Sequence, residues 1–289
     1  MDTDRRESTM KIGVLDAGGG FRGVYGCGVL DGCLDMGIMF DYAVGVSAGS
    51  ANLASYLARQ RGRNYVFYTD YGFRKQYASF GNFVRKHSYV DLDYVFSTLS
   101  NSDGEYPLDY DTFAANPAEF YAVACNARTG ETVYLDRSFI SRDNYQICKA
   151  SSALPVACPP QKIGDLLLFD GGMADPVPVQ KAFADGCDKV VLILTRPRDS
   201  LRTPKDDATF AKILKRRYPN AARELFLRYK KYNDSVALAG EYEKQGKLLV
   251  VAPDNIGHMT TLKRTKEDMD MLYEKGLRDA KKIPEFLGR

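Results

Sequence analysis

Histidine is almost missing from this chain: His87 and His258 are the two in 289 residues, and tryptophan is absent. So few imidazoles make a histidine-based metal site improbable, and no metal or cofactor is expected. The six cysteines show no C-x-x-C pairing, and Cys27, Cys33, Cys125 and Cys158 sit among apolar or small neighbours. That pattern reads as buried free thiols in a reducing compartment rather than a disulfide framework. No apolar run approaches the roughly 18 residues that would suggest a membrane span. The polar first ten residues contain no apolar core of a secretory signal. A flexible N-terminus over 1–10 and a cytoplasmic protein, peripheral to a membrane at most, are therefore expected.

What the chain has in quantity is alternation. "MKIGVLDA" reads as a buried strand, residues 24–36 as a helix stopped by Gly37, and "FDYAVGV" as a second strand. A small-residue helix follows in "AGSANLASYLARQ", and residues 64–113 are crowded with Tyr and Phe without a clean period. That crowded stretch suits either core or an apolar rim around a substrate mouth. "EFYAVACNARTGETVYLD" reads as two strands joined near Gly130, and "QKIGDLLLFDGG", "KVVLILTRP" and "KLLVVAP" each supply one more. Such order implies an α/β fold, an open, mostly parallel sheet with helices on both faces. The expected organisation is a catalytic core over 11–200 and a mainly helical region over 201–289 with one strand, packed on that core. From Leu201 onward 20 Lys and Arg face 13 Asp and Glu. "KILKRRY" and "LRYKKY" could meet an anionic membrane, although solvated helix faces are the favoured reading. No nucleic-acid partner is expected.

Two glycine patterns stand at strand ends. "LDAGGGFRGVYG" fits G-x-G-x-x-G through Gly18, Gly20 and Gly23, the phosphate-cradling turn of dinucleotide folds. "AVGVSAGSA" holds Gly45-Val46-Ser47-Ala48-Gly49, a G-x-S-x-G between a strand and a small-residue helix. The string alone is weak, but this context is what a nucleophile elbow requires. The turn lifts Ser47 to the strand's carboxyl end, and flanking glycines let strand and helix approach. The helix N-terminus leaves the Ala48 N–H free to donate. The dinucleotide reading needs an acid near the end of the second strand, whose only acid, Asp41, lies at the wrong end. The glycine loop therefore fits an oxyanion hole, its bare N–H groups aimed at a carbonyl attacked by Ser47. For the base, His258 lies downstream in the order an α/β-hydrolase would use. Asp170 in "LLLFDGG" is the better candidate: an apolar strand carries it to its end, and Gly171 and Gly172 turn the chain. Apolar surroundings raise an aspartate's pKa and make it a stronger base.

"GGGFRG", "GVSAG" and "DGG", in that order, resemble the patatin-like phospholipase family. The likeness continues through "KASSALPVACPPQKIGDLLLFDGGMADPVPV" (149–179). "PLDYDTF", "NPAEFYAVACNARTGE" and "DMDMLYEKGLRDA" look like that family's bacterial branch, so the resemblance covers nearly the whole chain after residue 10. It implies a serine lipid acyl hydrolase with a Ser47–Asp170 dyad, acting on a lipid or acyl ester without metal or catalytic histidine. Gly18, Gly19, Gly20, Phe21, Arg22 and Gly23 match the oxyanion loop, and His258 matches no catalytic motif. One departure is Ala17, directly before the glycines. The alternative function is a lipid- or nucleotide-binding protein that kept the fold without turnover.

Overall fold

A computed structural model of the chain describes residues 10–86 and 88–289. The expected flexible N-terminus, apart from Met10, and His87 lie outside the described residues. The chain opens with β1 (Ile12–Asp16), α1 (Val24–Asp35), β2 (Tyr42–Val46), α2 (Ala48–Leu57) and α3 (Arg63–Thr69). After α4 (Phe80–Lys86) and α5 (Tyr110–Ala115) come β3 (Glu119–Asn126), β4 (Thr132–Asp136), α6 (Gln146–Ser151), β5 (Gln161–Ile163) and β6 (Leu166–Asp170). Then follow α7 (Val179–Ala184), β7 (Lys189–Ile193), α8 (Ala208–Leu214), α9 (Pro219–Lys244), β8 (Leu248–Val251), α10 (Lys266–Asp279) and α11 (Ile283–Leu287).

The sheet runs β5-β6-β3-β2-β1-β7-β8, with β4 on the other side of β3. The β3-β2-β1-β7-β8 segment is parallel, whereas β4, β5 and β6 join antiparallel. Central strands are buried on both faces, so they read as continuous apolar runs. Side chains still alternate: Val14, Ala43 and Val191 enter the core on one face, Leu15, Val44 and Leu192 that on the other.

The last ninety residues do not form a separate body. β8 extends the sheet beside β7, and α10 lies along α1 at close range. A Cβ on Gly28 would come within 2.2 Å of the Tyr273 carbonyl, and one on Gly276 within 2.3 Å of the Tyr25 carbonyl. The two helices touch backbone to backbone there, and only glycine permits it. Tyr25 and Tyr273 reach across to Asp279 and Asp31 at 2.8 and 2.9 Å, tying the ends of the crossing. Among the described residues no helix is long and apolar enough to cross a membrane.

Candidate functional site

The register of β3 brings two distant strand ends together. β2 runs parallel along β3 as far as Val46 opposite Val123, and β6 takes over the same edge antiparallel, with Asp170 opposite Ala124. β4 occupies the other edge of β3. The carboxyl ends of β2 and β6 therefore meet head to head. Ser47, one residue past β2, faces Asp170, the last residue of β6.

The turn at Ser47 is sharp. Its φ of 56° and ψ of −129° put a non-glycine residue where side chains rarely go, so surrounding contacts must hold it there. The Ser47 N–H donates to Ser151 Oγ at 2.8 Å, and its carbonyl accepts the Ser50 hydroxyl at 2.7 Å. A Cβ on Gly45 would fall 2.4 Å from Ser50 Cα, and one on Gly49 2.2 Å from the Asp16 carbonyl. α2 thus sits against the ends of β1 and β2, its first N–H groups opening toward the glycine loop. Ser47 is 8% exposed, so its hydroxyl is reached through a cavity rather than from open surface.

Asp170 is buried, and its Oδ1 accepts the Gly172 N–H at 2.8 Å. Burial raises its pKa above the usual carboxylate value, opposed by the nearby Ser47 hydroxyl, the Gly172 N–H and the Arg228 charge. Its Oδ2 is buried without a hydrogen bond of good geometry. Ser47 is thus a near neighbour of the carboxylate rather than a bonded partner; free enzymes often show such pairs loose. Gly171 is fixed by space, since a Cβ there would strike the Val123 carbonyl at 2.2 Å.

The loop after β1 holds Gly18, Gly19 and Gly20 at φ 62°, 127° and 60°. A Gly18 Cβ would lie 2.0 Å from the Val46 carbonyl and 3.2 Å from the Ala48 nitrogen, so the loop lies directly on the elbow. Two of the loop's amides are already used. The Gly18 N–H donates to Asp16 Oδ1 at 2.9 Å, and the Phe21 N–H to the Thr261 carbonyl at 3.1 Å. Gly19 and Gly20 remain as the amides without a protein acceptor among the described residues. Phe21 packs against Tyr77 and beneath the Arg264 guanidinium, and Gly23 gives room to the Tyr68 hydroxyl. Gly18, Phe21 and Gly23 therefore shape the loop.

Sequence reasoning missed what holds the loop. Asp16 Oδ2 accepts Asn52 Nδ2, which also donates to the Gly23 carbonyl, and Asn52 Oδ1 accepts the Tyr68 hydroxyl. Burial pushes the Asp16 pKa up to about 6, against the pull of Asn52 and the Gly18 N–H. Thr195, just past β7, donates its hydroxyl to the Gly18 carbonyl from the opposite side. An acid two residues before the first glycine was the one visible signal; Asn52, Ser151, Thr195 and Thr261 gave none.

Two pockets meet at Ser47. One holds about 960 Å³ of empty space, its mouth included, and is walled by apolar side chains. Phe67, Tyr68, Tyr77, Leu92, Val95, Phe96 and Leu108 line it, so the aromatic stretch serves as rim and wall. Ala48, Ala51 and Ala54 form a stripe of small residues along its α2 side. The second pocket is polar and contains Gly18, Gly19, Gly20, Asp170 and four arginines, Arg22, Arg196, Arg202 and Arg228. His258 lies exposed on the 252–265 loop and lines neither pocket.

A family model described as patatin-like phospholipase matches residues 17–183, and one described as a domain of unknown function (DUF6363) matches residues 218–288. The chain is 29% identical over 202 residues to an uncharacterized protein of Escherichia coli (strain K12), YjjU. That alignment covers 68% of this chain and 55% of the relative, so the chain spans about half of the curated protein it matches. Among solved structures it is similar to VipD from Legionella pneumophila, at 12% identity and a TM-score of 0.49, covering 95% of this chain and 67% of that one. The family model takes in the glycine loop, the elbow and the Asp170 turn within more than half of the chain, and the chain belongs to the patatin-like phospholipase family.

Proposed function

We propose that this protein is a serine lipid acyl hydrolase that cleaves carboxylic esters with Ser47 as nucleophile and Asp170 as general base. The observation that carries the reading is the position of Ser47, between an apolar pocket and a buried carboxylate with one unpartnered oxygen. Family membership supports lipid acyl hydrolase chemistry of this general type.

The acyl chain enters the apolar pocket and brings its carbonyl carbon to Ser47 Oγ. Asp170 Oδ2 accepts the hydroxyl proton as Oγ attacks, and the carbonyl oxygen gains negative charge. The Gly19, Gly20 and Ala48 amides receive that charge, already oriented by Asp16, Asn52 and Thr195. Asp170 returns the proton to the departing alcohol, and a water activated by the same carboxylate then releases the fatty acid. Asp170 suits the task because burial makes it more basic than an exposed aspartate.

The substrate is met at a lipid surface. α8 exposes Phe210 and Ile213 between Lys205, Lys212, Lys215, Arg216 and Arg217, and α9 exposes Phe226. Apolar side chains among cations suit an anionic bilayer face. The test of the catalytic reading is labelling with a serine-directed fluorophosphonate. Wild type should label and hydrolyse p-nitrophenyl esters, and Ser47→Ala should lose both while keeping its circular-dichroism spectrum and melting temperature. Labelling or substantial turnover surviving in Ser47→Ala would remove this serine as nucleophile.

A further inference from the structure

The polar pocket holds more positive charge than the fold neutralises. Asp207 is buried and paired with both Arg202 and Arg228, which share this single carboxylate. Arg22 is 7% exposed, has no carboxylate partner among the described residues, and its Nε is buried without an acceptor. Arg196 lies over the Tyr232 ring at 5.7 Å and likewise has no carboxylate partner among the described residues. The Arg202 Nε is a second orphaned donor. Burial, with Arg196 and Arg202 close by, pushes the Arg22 pKa down to about 10, which leaves it charged at neutral pH. Taking guanidinium groups out of water without counter-charge is costly, so a pocket that gathers four of them against two carboxylates, Asp207 shared by Arg202 and Arg228 and Asp170 in the lining, is built for an anion.

The position of this charge says which half of a substrate it meets. The two pockets share Gly20, Ser47, Leu154 and Thr261, so they diverge from the reacting serine. An acyl chain in the apolar pocket sends the alcohol half of the ester into the arginine pocket. Arg228 Nη1 lies 3.9 Å from where a Gly172 Cβ would stand, and Arg22 Nη2 lies 3.1 Å from that of Gly19, so the guanidiniums flank the reacting centre. Planar forks of this kind match phosphate oxygens two at a time. Among the described residues Asp170 is the pocket's only acid and Tyr232 its only aromatic side chain, too few to cage a quaternary ammonium.

We propose that Arg22, Arg196, Arg202 and Arg228 bind a phosphate monoester on the alcohol half of the acyl substrate, so that the enzyme selects anionic phosphomonoester lipids over neutral or choline-bearing ones. The inference rests on the hydrolase reading above, and its test separates the two. kcat/KM is measured for 1-oleoyl-glycerol 3-phosphate, 1-oleoylglycerol and 1-oleoyl-glycerophosphocholine with the whole chain. Wild type should prefer the first by at least about tenfold. Arg196→Gln and Arg202→Gln should each shrink that ratio by about tenfold to a hundredfold, the scale of one lost charged hydrogen-bonding group. Asp207 keeps Arg228 in the second variant, and Arg196→Lys should restore part of the ratio. Free glycerol 3-phosphate should compete with a neutral p-nitrophenyl ester in wild type, and more weakly in Arg196→Gln.

Hydrolysis of 1-oleoylglycerol with no preference for the phosphorylated lipid overturns the proposal, even where free phosphate binds. So does a preference that survives both glutamine variants in folded protein. Hydrolysis of none of the esters would instead sink the hydrolase reading. Glycerol 3-phosphate binding by calorimetry then reads the pocket alone, and its absence refutes the anion site.

Discussion

If the acyl chain follows α2 away from Ser47, the three alanines along that helix form a ruler that can be shortened by one residue. At a helical rise of about 1.5 Å per residue, Ala51 lies roughly 6 Å and Ala54 roughly 10 Å beyond Ser47. An extended chain with C–C bonds of about 1.5 Å advances about 1.3 Å per methylene, so Ala54 stands near the eighth acyl carbon. Ala54→Leu adds three carbon atoms to the wall there and displaces about three methylenes of substrate. At about 0.8 kcal/mol per buried methylene, that costs about 2.4 kcal/mol, close to sixtyfold in kcat/KM for long chains. A chain able to bend around the obstacle would lose less. The assay is a p-nitrophenyl ester series from C4 to C16 on wild type, Ala51→Leu and Ala54→Leu, with melting temperatures as the control for folding. The C12-to-C6 ratio should collapse in Ala54→Leu, while Ala51→Leu should move the break to shorter chains. Equal losses at every length, or two variants breaking at the same length, would refute the path along α2.

Four further outcomes follow from the structure. Asp170→Asn should lower kcat by several orders of magnitude, whereas His258→Ala should stay within about threefold, since only the first residue moves a proton. A hundredfold loss in folded His258→Ala would restore a triad. Because the Asp170 pKa is raised and the base must be ionised, kcat/KM should fall as pH drops through a value above that of an ordinary aspartate; a break at or below the ordinary value would contradict the burial account. Gly19→Val should lower kcat by about a hundredfold or more, because φ 127° excludes a β-branched residue and the displaced amides no longer meet the oxyanion; wild-type kcat in that variant would argue against the loop's role. Binding to vesicles containing anionic phosphatidylglycerol should weaken at least tenfold in Phe210→Asp/Ile213→Asp, measured by co-sedimentation, and unchanged binding would detach α8 from the membrane reading.

Local rules were enough for the parts of this protein that are local. The strand–turn–helix around Ser47, the glycines flanking it and the stop at Gly37 depend on backbone conformations that few residues tolerate, so their spacing shows in the sequence. The pairing of Ser47 with Asp170 was reached through motif order and resemblance. Its physical basis is the register of β3, which hands one edge from β2 to β6 at Val123–Ala124. No periodicity encodes that handover. The apolar pocket was half legible: an aromatic-rich stretch suits core and cavity alike, and only packing decides which faces stay uncovered. The supports of the glycine loop and the arginine pocket were invisible for a stronger reason. Ser151 reaches Ser47 across 104 residues, and Thr195 reaches Gly18 across 177. Arg22 comes from the glycine loop, Arg196 and Arg202 from the connection between β7 and α8, and Arg228 from α9; in sequence Arg22 stood out only as part of the oxyanion loop, and the other three read as ordinary surface cations. Burial and convergence turn them into a site, and both exist only once the sheet has closed its connections in space.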